Sequence, residues 1–129
     1  MLMKTKIVMT SSAVFYGFLG ILFSFLPDEI ANYLNVESTT VTRLSFILLS
    51  ALYLGFGIQN LTARRTIIGG IYNRPIAIGN FMHFAVGAIG LVKIASDIQI
   101  HSKIVIPLTI LYTTFALLFL YIFRTHPAD

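Results

Sequence analysis

Cysteine is absent from the 129 residues, which removes disulfides, thiolate metal sites and thiol redox chemistry from consideration. Tryptophan is absent too, so aromatic anchoring at a membrane surface falls to tyrosine. Charge is scarce: Asp, Glu, Lys and Arg together make 11% of the chain, against roughly 25% in a soluble domain. Five residues are acidic, and none of them lies inside a long apolar stretch. The absence of membrane carboxylates counts against proton-coupled export.

What is present is hydrocarbon. Hydrophobic residues make 57% of the chain and the mean hydropathy is +0.85. Four runs, Ile7–Leu26, Leu44–Leu61, Ile76–Ala95 and Ile104–Phe123, are each close to the ~20 residues that cross a bilayer. Lys93 is the charged side chain within them. The sequence predicts an all-α integral membrane protein, one four-span domain over residues 1–129 folded as an up-down four-helix bundle. These spans and their short connections use nearly all the residues, so a soluble catalytic domain has no place among them. The first run is too long for a signal-peptide core, and Phe25-Leu26-Pro27-Asp28 is no small-residue cleavage site, so it reads as a retained span.

The pI near 9.6 reflects orientation rather than nucleic acid, because the basic residues sit at span ends. Lys4 and Lys6 precede span one, Arg64, Arg65 and Arg74 join spans two and three, and Arg124 follows span four. The opposite side receives Arg43, Lys93 and Lys103 with Asp28, Glu29, Glu37 and Asp97. The positive-inside rule then puts both termini in the cytoplasm, and the expected location is a bacterial inner membrane, multi-pass. Pro27 with two following acids ends span one. Ile30, Tyr33, Leu34 and Val36 then recur at helical spacing, as a short interfacial helix or an irregular loop with apolar anchors. Gly69-Gly70 reads as a flexible break, Pro75 as a first-turn proline of span three, and Gln99–Lys103 as a short outer turn. Pro107 lies near enough to the start of span four to be tolerated.

Polar side chains inside a span are costly and turn to the bundle interior or to a cavity. Gln59 and Asn60 lie near one end of span two. Asn80 and His83 share a face one to two turns into span three from the same side, with His83 roughly 12 Å along the helix from Pro75. Thr10, Ser11 and Ser12 occupy the matching depth in span one, Tyr121 that in span four, and Arg64 and Arg74 the mouth. Two readings stay open for this cluster. It is a ligand site (Gln59, Asn60, Arg64, Arg74, Asn80, His83), or it is hydrogen-bonded glue between helices. His83 is expected to be neutral, since a charged imidazole at that depth loses hydration without a carboxylate to compensate, and to bond Asn80, Gln59, Asn60 or a span-one hydroxyl. No metal, cofactor or catalytic residue is expected, because no second His, Cys or acid lies at a suitable depth. Gly17, Gly20, Gly55, Gly57, Gly87 and Gly90 fall near mid-membrane, where small residues let helix backbones approach. The matched Gly-x-x-Gly pairs of spans one and three hint at a duplicated two-helix unit. Tyr33, Tyr72 and Tyr121 fall near interfaces; Tyr16, Tyr53 and Tyr112 fall deeper and need polar partners.

The stretch Ile68-Gly69-Gly70-Ile71-Tyr72-Asn73-Arg74-Pro75-Ile76, followed by Gly79-Asn80-Phe81-Met82-His83-Phe84, resembles a segment of uncharacterised small bacterial four-span membrane proteins. In layout the chain is similar to the DoxX-like group; no activity or site is implied. The functional expectation is a non-enzymatic membrane protein that binds membrane lipid, or the helices of a partner or a second copy, through its polar cluster. An oligomeric transporter or channel is the first alternative, and a small enzyme using His83 as acid–base is the second.

Overall fold

A computed structural model describes residues 2–95 and 102–127. Among them are five helices and no strand: α1 Leu2–Phe25, α2 Pro27–Tyr33, α3 Thr40–Ala63, α4 Arg74–Ala95 and α5 Ser102–Arg124. All but α2 are long and apolar enough to cross a membrane. At 1.5 Å per residue their 22–24 residues span roughly 33–36 Å, a little over the ~30 Å of hydrocarbon. Each begins or ends outside its apolar run, because helix ends follow capping and the run marks only the stretch that suits lipid. Asp97 and most of the turn expected over Gln99–Lys103 lie outside the described residues.

The chain divides into two compact units, Met9–Arg64 and Met1–Val8 with Arg65–Asp129. In the first, α1 and α3 pack antiparallel. A Cβ on Gly57 would lie 3.4 Å from the Ala13 carbonyl oxygen and the Gly17 nitrogen, and one on Gly20 would lie 2.7 Å from Leu54. Tyr16 stacks on Phe56 at 5.4 Å, and Phe23 meets Phe46 at 5.4 Å and Tyr53 at 5.9 Å. Lipid is as apolar as these side chains, so close packing rather than water exclusion holds such helices together.

Pro27 opens α2 at its first turn, where a missing N–H costs nothing. The chain turns out of the same helix at Asn35, whose φ of 55° is left-handed. Val36 N–H donates to the Ala31 carbonyl at 2.9 Å and Asn35 N–H to that of Asn32 at 3.1 Å, the paired bonds of a Schellman stop. The expected interfacial segment is thus a helix of seven residues. Thr39 then caps α3, its hydroxyl accepting from Thr42 N–H at 3.2 Å.

In the second unit α4 and α5 are antiparallel around Phe84, which stacks on Phe115 at 4.8 Å and Phe119 at 5.9 Å. A Cβ on Gly87 would overlap the Tyr112 ring. Pro107 is carried inside a continuous α5. Gly17, Gly55 and Gly90 differ from Gly20, Gly57 and Gly87: a Cβ on any of the first three meets nothing within 4 Å. The Gly-x-x-Gly pairs are therefore not equivalent, since the second glycine is the crowded one in α1 and the first in α4.

The expected flexible break at Gly69-Gly70 is an ordered turn. Gly69 and Tyr72 exchange backbone hydrogen bonds of 2.9 and 3.1 Å, with φ at 136° for Gly69, 55° for Gly70 and 49° for Asn73. Glycine is needed at Gly69 for a second reason, since a Cβ there would lie 2.7 Å from the Thr125 carbonyl oxygen. Asn73 also donates to the Ile67 carbonyl at 2.5 Å, and buried Ile68 anchors the loop.

Candidate functional site

Neighbouring Gln59 and Asn60 part company on α3. Helix geometry turns successive side chains by ~100°, and Gln59 is exposed while Asn60 is fully buried. Asn60 Nδ2 donates to Ser12 Oγ at 2.9 Å, and Ser12 Oγ donates onward to the Met9 carbonyl at 3.1 Å. An amide, a hydroxyl and a carbonyl thus satisfy one another between two spans, which removes the penalty of burying them. Arg64 caps the end of α3 and is half-buried.

The other three candidates belong to the second unit. Arg74 opens α4, donates from Nε to the Gly70 carbonyl at 2.9 Å, and holds its guanidinium 5.9 Å above the Phe123 ring, within cation–π range. Asn80 is fully buried and donates from Nδ2 to the Ile76 carbonyl one turn back at 2.9 Å. Half-buried His83 meets Tyr112 on α5, with the phenol oxygen 3.4 Å from Nε2 and the rings 5.6 Å apart. Tyr112 was not among the partners expected for His83, although its own depth called for one. The i, i+3 spacing places Asn80 and His83 on neighbouring positions of α4, yet these hydrogen bonds lead in different directions.

Sequence reasoning passed over a polar cluster outside the spans. Arg43 Nε lies 2.7 Å from Asp28 Oδ1, and the Ser38 hydroxyl donates to the same oxygen. The Ser38 bond and the Arg43 guanidinium hold the Asp28 carboxyl below its ordinary range. The signal was an acid and a base, Asp28 and Arg43, at the two sides of one short connection.

A cleft of about 100 Å³ opens in the second unit. Lys4, Thr5 and Val8 of α1, Ile68 of the loop, and Leu118 and Ile122 of α5 line it, and its walls are almost wholly carbon. Among the described residues, no group of three His, Cys, Asp or Glu side chains stands close enough to hold a metal ion. No protein-family model, curated protein or solved structure matches this chain.

Proposed function

We propose that the chain is a multi-pass protein of a bacterial inner membrane, with both termini cytoplasmic and four spans bundled, that binds a lipid-like ligand without catalysis. The observation that carries this reading is the apolar cleft beside Ile68, a surface suited to a hydrocarbon segment rather than a polar substrate. Hydrogen bonding within the helix pairs supports it. Asn60 engages Ser12, Asn80 a carbonyl of its own helix, and His83 engages Tyr112, so we assign these residues to packing and the ligand to the cleft. The DoxX-like layout agrees with the four spans and contributes no site.

A second reading, docking of helices from a partner or a second copy, draws on α3. Gly55 and Gln59 are both exposed there, one turn apart, and a Cβ on Gly55 meets nothing. Small residues with a polar neighbour on an outward face suit a helix contact. Gentle extraction followed by lipid mass spectrometry separates the readings. Enrichment of a lipid class over the bulk membrane is the expected result; a lipid-free protein that runs as an oligomer sensitive to Gly55→Leu would replace it with the second.

A further inference from the structure

The walls of the cleft are apolar, but the described segments that build it carry charge of one sign. Lys4 lines it and is itself exposed. Arg124 directly precedes the lining residue Thr125. Arg74 is fixed by Gly70 and the Phe123 ring, and a Cβ on Gly70 would touch His126 at 3.3 Å. The described segments that build this end, residues 2–8, 65–75 and 118–127, contain no Asp or Glu. An apolar slot with a lysine in its lining, built from described segments that carry basic and no acidic residues, suits an amphiphile with a negative head.

The dimensions narrow the choice further. On α1 the lining runs from Lys4 to Val8, about one helical turn or ~6 Å, and on the facing wall from Leu118 to Thr125, about two turns or ~10 Å. The single turn of α1 limits the part enclosed from both sides to ~6 Å, a length that suits the first part of an acyl chain. Both helices end at this level, α1 beginning at Leu2 and α5 finishing at Arg124, and in the proposed topology hydrocarbon gives way to head groups there. Tyr121, exposed and also lining the cleft, is the type of side chain that occupies that level.

We propose that the cleft holds an anionic phospholipid, its phosphate at Lys4 and the first part of an acyl chain against Val8, Ile68 and Leu118. This rests on the lipid-binding reading above and adds the class of lipid and its place.

The test is native mass spectrometry of the full chain in detergent, titrated with phosphatidylglycerol and with phosphatidylcholine of the same acyl chains. The parent is expected to prefer phosphatidylglycerol. Lys4→Gln is expected to weaken that lipid about fivefold, the effect of one basic residue at an anionic surface, and Lys4→Arg to restore it. Val8→Phe, which fills the slot, is expected to weaken both lipids, and Lys103→Gln at the far end of α5 neither. Lys4 is exposed, so its variants keep the fold, and unchanged helical circular dichroism checks this for Val8→Phe. A parent that prefers phosphatidylglycerol while Lys4→Gln and Val8→Phe match it overturns the site and leaves lipid binding standing. A parent that retains neither lipid overturns both.

Discussion

At the scale of single residues, His83 and Tyr112 show how a buried polar group is settled inside a span. An imidazole in its neutral form has one donor and one acceptor to satisfy, and the phenol across the α4–α5 contact offers both functions at 3.4 Å. A bond of that length is weak, so His83→Leu and Tyr112→Phe should each cost roughly 0.6–2 kcal/mol. Unfolding in mixed micelles measures the cost, and a double-mutant cycle isolates the coupling. Additive effects would mean that the two side chains stabilise the pair independently. Asp28 sets a pH dependence of definite sign. Its folded carboxyl lies below the ordinary value because Ser38 donates to it and Arg43 faces it. The tie between α2 and the start of α3 is therefore fully present above the unfolded carboxyl value of ~3.9, and is lost as pH falls through the lower folded one. A spin label on Glu37→Cys should gain mobility only on strong acidification, and Asp28→Asn should give that mobility at neutral pH. A label equally mobile at every pH would show that the ion pair does not hold the loop.

Elements are held together where backbones meet, and the glycines divide accordingly. Gly57 faces the backbone of α1 and Gly87 faces Tyr112, while Gly55 and Gly90 face open space. Gly57→Leu and Gly87→Leu should lower the melting temperature in detergent, with Gly55→Leu and Gly90→Leu close to the parent. The opposite ranking would mean that the open faces are the packed ones. The loop before α4 provides a sharper case. Gly69 combines a φ of 136° with a close approach to the last turn of α5, so Gly69→Ala carries both backbone strain, about 1–3 kcal/mol, and a clash with a carbonyl. It should destabilise more than Gly17→Ala, read from the same melting curves. The resemblance segment Ile68–Ile76 is thus a turn whose glycines and Asn73 are each required by a dihedral angle, with Arg74 latching it from the first residue of α4.

For the whole molecule, the testable property is topology. The proposed orientation puts both termini and the loop before α4 on the cytoplasmic side. A chain without cysteine suits scanning by single introduced thiols. Ile71 is 62% exposed where Ile68 is 3% exposed, so Ile71 is the position to label in that loop. An impermeant reagent on intact cells should label cysteines at Ser38 and Lys103 and spare those at Lys4 and Ile71. The reverse pattern would invert the orientation, and with it the leaflet that supplies the proposed lipid.

Partition into a membrane is a sum over ~20 consecutive residues, and that sum can be read without any fold. The sequence by itself therefore determined the number of helices long and apolar enough to span, their places to within a few residues, and the break at Pro27. Partners are decided differently. A step of one residue turns a side chain by ~100°, so two adjacent amides, Gln59 and Asn60, have opposite fates that hydropathy cannot separate. Ser12 and Asn60 are 48 positions apart, and His83 and Tyr112 are 29; only the register between helices brings such pairs together. The same holds for the order of the Gly69-Gly70 turn, which depends on the last turn of α5, and for the cleft, which no single helix contains. Tertiary structure decided these because each requires two distant segments at a fixed rotation and distance.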